Sequence, residues 1–300
     1  MGTELKQTFN KGNIKGVLSE KKLEYFKDDK NNIAGIMGSI IIDSAVGKHA
    51  LRVYSSARTK SGDANKMYDN ILALKNEYVA AIDATDDNPA SCVSADFKLQ
   101  TNDSLNKQGE PTTYLGMSLN VIHRISESDI DLESDDTNMI SLTVVYNKMS
   151  ALPEKDRDNE GDKNLEVFAV NYTGELMPFN LYVTEDIAEE VEEIYSKGDT
   201  IDITVEPRKI HIAGREKKKA AFGRTANFSK GYDRLRLYLV GGDSVVDEND
   251  EHYIDPELVG KALKEREAKL KNLAKNGNSK SKNKAVAKAS AKIKDEDIPF

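Results

Sequence analysis

The order strand, strand, strand, helix, strand, strand occurs twice along this chain, once in each half, and that recurrence narrows the folds open to it. In the first half, residues 9–18 alternate loosely, 33–42 are β-branched and interrupted by glycine, and 48–55 alternate polar with apolar as a half-buried strand does. Residues 64–82 then place Met67, Ile71, Leu72, Leu74, Tyr78 and Ile82 near a helical period, with Asp63 available as N-cap. Segments 91–100 and 112–125 follow, on either side of a stretch of Asn, Gly and Pro that breaks regular structure. The second half repeats the pattern. Residues 140–150, 165–171 and 175–183 read as strands, Thr184 caps a short helix to Tyr195, and 200–212 and 227–240 close the series.

Five strands with a helix between the third and fourth is the layout of an OB barrel, a partly open Greek key that holds oligonucleotides on one strand face and in its loops. The expectation is a mainly β chain of two tandem five-stranded OB-fold barrels, with a C-terminal helix and a disordered tail. Its divisions are a first barrel over 1–128, a linker over 129–136, a second barrel over 137–242, a connector and charged helix over 243–275, and a Lys-rich tail over 276–300. Asp255 and Pro256 open that helix as N-cap and N1, and Gly277 is expected to stop it.

Enzyme chemistry lacks its parts. The four histidines stand far apart at 49, 123, 211 and 252, and Cys92 is alone, so neither a histidine pair on one helix face nor a CxxC pair exists. Gly47-Lys48-His49 lacks the upstream glycine and the following Ser or Thr of a phosphate-cradling loop. The acidic runs at Asp83, Asp86 and Asp87 and at Asp129, Asp131, Glu133, Asp135 and Asp136 lack the glycine-centred spacing of a calcium loop and read as solvated linker. No catalysis, no metal and no cofactor are expected. A lone cysteine, no apolar N-terminal run and no membrane-length apolar segment lead to the expectation of a cytoplasmic protein.

Net charge is −8, although a chain that neutralises phosphates is usually basic. Six lysines and no acid between 276 and 294 make the remaining body more acidic still. Binding to nucleic acid would then depend on local grooves where cations lie beside flat rings on one face. In the first half, Arg52 and Tyr54 sit two apart on a strand and point the same way, with Arg58, Lys60, Lys66 and Tyr68 following and Arg124 at a strand end. Tyr54 reads equally well as a barrel-core ring. In the second half, Arg208, Lys209 and His211 lie on the fourth strand. The excursion before the fifth carries Lys217, Lys218, Lys219, Phe222, Arg224 and Phe228.

The chain ends Asp295-Glu296-Asp297-Ile298-Pro299-Phe300, an acidic run with a ring and a free carboxylate suited to a basic pocket with an apolar floor. This tip resembles that of bacterial single-stranded DNA-binding proteins, and the resemblance implies recruitment of replication, recombination or repair proteins. Over most of its length the chain also resembles phage-encoded single-stranded DNA-binding proteins, on the segments Gly12-Asn13-Ile14-Lys15-Gly16-Val17-Leu18, Lys66-Met67-Tyr68 and Asp255-Pro256-Glu257-Leu258. That resemblance implies tandem OB domains, no catalytic activity and a role in phage DNA replication. The linker departs from the bacterial pattern of Gly, Pro and Gln, being built from Lys, Ala, Ser and Asn. The alternative reading is an acidic interaction or DNA-mimic module that engages host replication proteins without touching DNA.

Overall fold

The computed structural model describes residues 4–28, 33–59, 61–106, 109–130, 138–212, 216–218, 226–228 and 232–290. In the first half, β1 (Asn10–Asp28), β2 (Ile33–Ser44) and β3 (Gly47–Ser56) precede α1 (Lys66–Glu77), β4 (Cys92–Leu105) and β5 (Pro111–Arg124). In the second, β6 (Ile140–Ala151), β7 (Lys163–Val170) and β8 (Leu176–Val183) precede α2 (Glu185–Ile194) and β9 (Thr200–Ile212). A hairpin of β10 (Glu216–Lys218) and β11 (Ala226–Phe228) then leads to β12 (Tyr232–Gly242) and α3 (Pro256–Ser290).

The ladders close both halves into OB barrels. β1 pairs antiparallel with β2, β2 with β3, β5 with β4 and β4 with β1. The ring is completed by a short parallel contact of β3 with β5 at Leu51–Met117 and Arg52–Ser118. The second barrel repeats every joint: β6–β7–β8, a parallel β8–β12 contact at Leu181–Leu237 and Tyr182–Tyr238, then β12–β9 and β9–β6. Strand alternation fills each interior: Leu51 and Val53 are fully buried while Arg52 and Tyr54, between and beyond them, face out. The expected mainly β class is thus the observed one.

The two barrels share one sheet. Asn10, Lys11 and Gly12 of β1 pair with Leu142, Ser141 and Ile140 of β6. Gly12 permits this seam, because a Cβ there would sit 2.5 Å from the Phe97 ring and 2.9 Å from Ile140. Just upstream, the Thr8 amide donates to the Val170 carbonyl at 3.1 Å, and the Thr8 hydroxyl accepts from the Val170 amide at 3.0 Å.

Helix boundaries differ from the expectation. α1 starts from Asn65, whose side chain accepts from the Met67 amide at 3.1 Å, and not from Asp63. It ends at Glu77 because the Lys21 ammonium, reaching in from β1, donates to the carbonyls of Lys75 at 2.8 Å and Tyr78, taking over the last-turn acceptors. α3 continues past Gly277 to Ser290. One helical glycine costs only about 1 kcal/mol, and the Ala- and Lys-rich sequence beyond it favours helix.

The first turns of α3, with Ile254, pack Val259 onto the outer face of the second barrel, where Val145, Phe168, Val170 and Leu176 form a second apolar cluster joined by Leu5. Further along, the Arg266 guanidinium forks onto Asp103 of β4 at 2.7 and 2.8 Å, and Lys269 pairs with Glu175 beside β8 at 2.5 Å. α3 therefore touches both barrels.

Candidate nucleic-acid interface

β1 runs ten residues further than the expected 9–18, and this extension builds a platform. Past a register shift between Leu18 and Glu20, Lys22 pairs with Ser39 and Glu24 with Met37, and β2 in turn aligns Ser39 with Arg52 and Met37 with Tyr54. Two cross-strand rows therefore lie on the outer face: Lys22, Ser39 and Arg52, then Glu24, Met37 and Tyr54. Phe26 stands one step on, its ring stacked on Tyr54 at 5.0 Å between centroids and 16° between planes. Tyr54 is 52% and Met37 46% exposed, so the choice between core and surface for Tyr54 falls to surface.

The Tyr54 ring is the exposed member of the stacked pair, whereas the Phe26 ring is half-buried and lies over Gly35. Arg52 is exposed and makes no ion pair with any described residue, whereas Lys22 is held by Glu20 at 2.8 Å. Gly38 takes φ +147°, and a Cβ there would lie 1.9 Å from the Lys22 carbonyl, so only glycine lets β2 pass this close to β1 beneath the platform. Tyr25, 59% exposed, faces the other side of the hairpin with the Lys75 ammonium 5.0 Å from its ring.

The remaining first-half residues are dispersed. Arg58 is exposed and donates to the Gly62 carbonyl at 2.8 Å, and Lys66 is exposed at the start of α1. Tyr68 is half-buried and packs against the core. Arg124 lies 4.6 Å from the centroid of the Tyr78 ring and donates to the Glu77 carbonyl, which ties it to the end of α1 and away from the platform. Lys60 lies outside the described residues.

In the second barrel, cations and rings are interleaved but satisfy one another. Arg236 lies 4.4 Å from the Tyr182 ring and 5.8 Å from that of Tyr238, and it pairs with Asp158 at 3.4 Å. Arg208 lies 4.4 Å from the Tyr238 ring and pairs with Glu206 at 2.5 Å. Tyr182 and Tyr238 are buried, their centroids 4.7 Å apart. Burial and the hydrogen bond it donates to Asp162 push the Tyr182 hydroxyl far above the usual phenol range. Burial favours the neutral Asp162 carboxyl, but donation from Tyr182 and from the amides of Asn159, Glu185 and Asp158 outweighs it and holds the group below the usual carboxylate range.

The ladder pairs Arg208 with Arg236 and Lys209 with Leu235, so Arg208 and Lys209 project to opposite faces, and His211 pairs with Asp233 further along. The fourth-strand cations are thus not one patch. The hairpin that follows pairs Lys217 with Asn227 and Lys218 with Ala226, a basic two-stranded arm between β9 and β12 that also carries Phe228 opposite Glu216. Lys219, Phe222 and Arg224 lie outside the described residues, as does the tip from Asp295 to Phe300. Sequence reasoning missed Phe26, Met37 and Lys22; the alternation Lys22, Glu24, Phe26 was the available signal that β1 continues.

Among the described residues no group of His, Cys, Asp and Glu is arranged to hold a metal ion, and no helix is long and apolar enough to cross a membrane. No curated protein matches the chain. The single-stranded DNA binding protein from Thermus aquaticus is similar in structure at 10% sequence identity. The wild-type form has a TM-score of 0.47, with 82% of this chain and 97% of that one covered. A deletion mutant of it has a TM-score of 0.46, with 82% and 98% covered. The model of the YorF family matches residues 8–295, and the chain belongs to that family.

Proposed function

We propose that this chain is a non-enzymatic, sequence-independent single-stranded DNA-binding protein that coats exposed strands during phage replication or recombination. The observation that carries the reading is the platform of the first barrel: Tyr54 stacked on Phe26, Met37 beside them, and the exposed Arg52, without an ion pair among the described residues, two residues away on the same face. It occupies the outer face of β2 and β3, the part of an OB barrel suited to oligonucleotides. A flat ring stacks on any base, and each such stack contributes about 1–3 kcal/mol without selecting a sequence. Met37 adds a polarisable apolar surface, and Arg52 a charge for the backbone phosphate.

The basic arm of the second barrel, with Lys217 and Lys218 and the neighbouring Lys219, Phe222, Arg224 and Phe228, is the second contact region in this reading. It meets the strand electrostatically, and the linkage of two weak regions on one chain raises the effective concentration of strand at each. Single-stranded DNA is the main partner. The acidic tip, Asp295 to Phe300, recruits replication, recombination or repair proteins by its free carboxylate and terminal ring.

Fluorescence polarisation with a labelled oligo-dT strand tests the reading. Saturable binding that weakens steeply with salt is expected. Absence of binding at low salt would overturn it in favour of an acidic module that meets proteins alone. For the tip, deletion of Phe300 is expected to abolish capture of the partner proteins while oligo-dT binding persists.

A further inference from the structure

A cavity of about 640 Å³ lies between the N-terminal segment and the start of α3. Leu5, Phe9 and Leu258 give it an apolar lining, and Phe9 is 52% exposed although it immediately precedes β1. Carboxylates rim the opening. Asp250 and Asp255 are spent on the amides of His252 and Glu257, each at 2.8 Å. Glu4, Glu248 and Glu257, which also line the cavity, make no hydrogen bond through their side chains and no ion pair with any described residue. Among the described residues of the lining the basic ones are Lys6 and His252, and His252 is already 3.6 Å from Glu251. Such an opening fits an apolar side chain flanked by cations.

The C-terminal segment of this chain has that chemistry. Residues 276–294 hold six lysines and no acid, with Val286 and Ile293 among them. Its own cavity is out of reach. α3 starts at Pro256, beside the cavity, and runs 35 residues, so its far end lies roughly 50 Å away at about 1.5 Å per residue. The ten residues beyond Ser290 span at most about 35 Å when fully extended.

We propose that the Lys-rich segment of one copy docks into the acid-rimmed, Phe9-lined cavity of the next. The contact is head to tail, so every growing row keeps one free cavity at one end and one free segment at the other, as open assemblies do. A row of this kind suits a protein that coats a strand, but the contact itself needs no DNA and stands or falls separately from the binding platform. Its strength comes from opposite charges at an exposed site, so it weakens as salt screens them.

Sedimentation velocity of the full chain without DNA tests the contact. At low salt the protein is expected to form concentration-dependent species larger than one copy, and at high salt to sediment as a monomer. A cavity variant carrying Glu4→Lys, Glu248→Lys and Glu251→Lys, and a segment variant carrying Lys280→Glu, Lys282→Glu and Lys284→Glu, should each remain monomeric at low salt. A wild type that is monomeric at low salt, or variants that associate as the wild type does, would overturn the proposal. Should the cavity variant fold poorly, the segment variant alone decides: unchanged association sinks the contact, and loss of association upholds it.

Discussion

The two barrels share every joint of their sheets, yet they differ on the face where an OB barrel meets its ligand. Their parallel closing contacts give a common ruler: Arg52–Ser118 in the first stands where Tyr182–Tyr238 stands in the second. At that level the first barrel carries Lys22, Ser39 and Arg52 across its face, and the second carries Ser150, Asn164 and Tyr182. Beyond it, β1, β2 and β3 continue and raise Met37 and Tyr54 into solvent, with the half-buried Phe26 stacked on Tyr54. In the second barrel β8 stops at Val183 and α2 begins at Glu185, so no further row exists. The other half of that face is covered by Ile254 and Val259. The same topology thus yields an open ring platform in one barrel and a closed, self-satisfied surface in the other, and strand length decides which.

The comparison breaks most readily at the platform. Replacing Phe26 and Tyr54 together by alanine should weaken oligo-dT binding at least tenfold in polarisation titrations, since each lost stack is worth about 1–3 kcal/mol. The matching change in the second barrel, Tyr182→Phe, should leave that affinity unaltered. It should instead lower stability to urea by about 1.5–3 kcal/mol, the range for a hydrogen bond to a charged group, because Asp162 loses its hydroxyl donor. Arg52→Ala should reduce the salt slope of oligo-dT binding by about 0.7, the contribution of one phosphate contact on a single strand. The equivalent test at Arg236, already committed to Asp158 and two rings, should leave the slope unchanged.

The smallest effect concerns the junction between the barrels. His49 is buried, and neither ring nitrogen has a hydrogen-bond partner among the described residues. Burial holds its imidazole below the usual histidine range; Asp43 and Glu206 pull it back up, and Lys209 adds to the depression. A depressed histidine binds fewer protons in the folded chain than in the unfolded one. The stability this represents is present above about pH 6.5, the unfolded value, and is lost as the solution is acidified through the lower folded value. Thermal melts at about pH 7.5 and about pH 5.5 should therefore diverge less for His49→Leu than for the wild type.

Much of the architecture was legible because both of its signals are local. Alternation in 48–55 and in Leu235, Leu237 and Leu239 marks strands, and the repeated element order marks two barrels. Tyr54 and Arg52 could be placed on one face by parity alone. Parity does not say which face is inside, and that was settled only by Leu51 and Val53 meeting the core. Phe26 escaped because Lys21, inside a barrel wall, reads as a break in an apolar pattern, whereas its ammonium is satisfied by the carbonyls at the end of α1. The Arg208 and Lys209 pair read as one patch because adjacent positions were grouped by charge, and a strand separates them to opposite faces. The engagement of Arg236 with Asp158 spans 78 residues and leaves no mark in local sequence.

The asymmetry between the barrels is tested most directly by photo-crosslinking an oligonucleotide that carries 5-iodouracil to the full chain and mapping the adducts by mass spectrometry. Adducts on the peptides that hold Phe26 and Tyr54, with none on the peptide that holds Tyr182, are the predicted result. Adducts on the Tyr182 peptide with the Phe26 and Tyr54 peptides unmodified would contradict it.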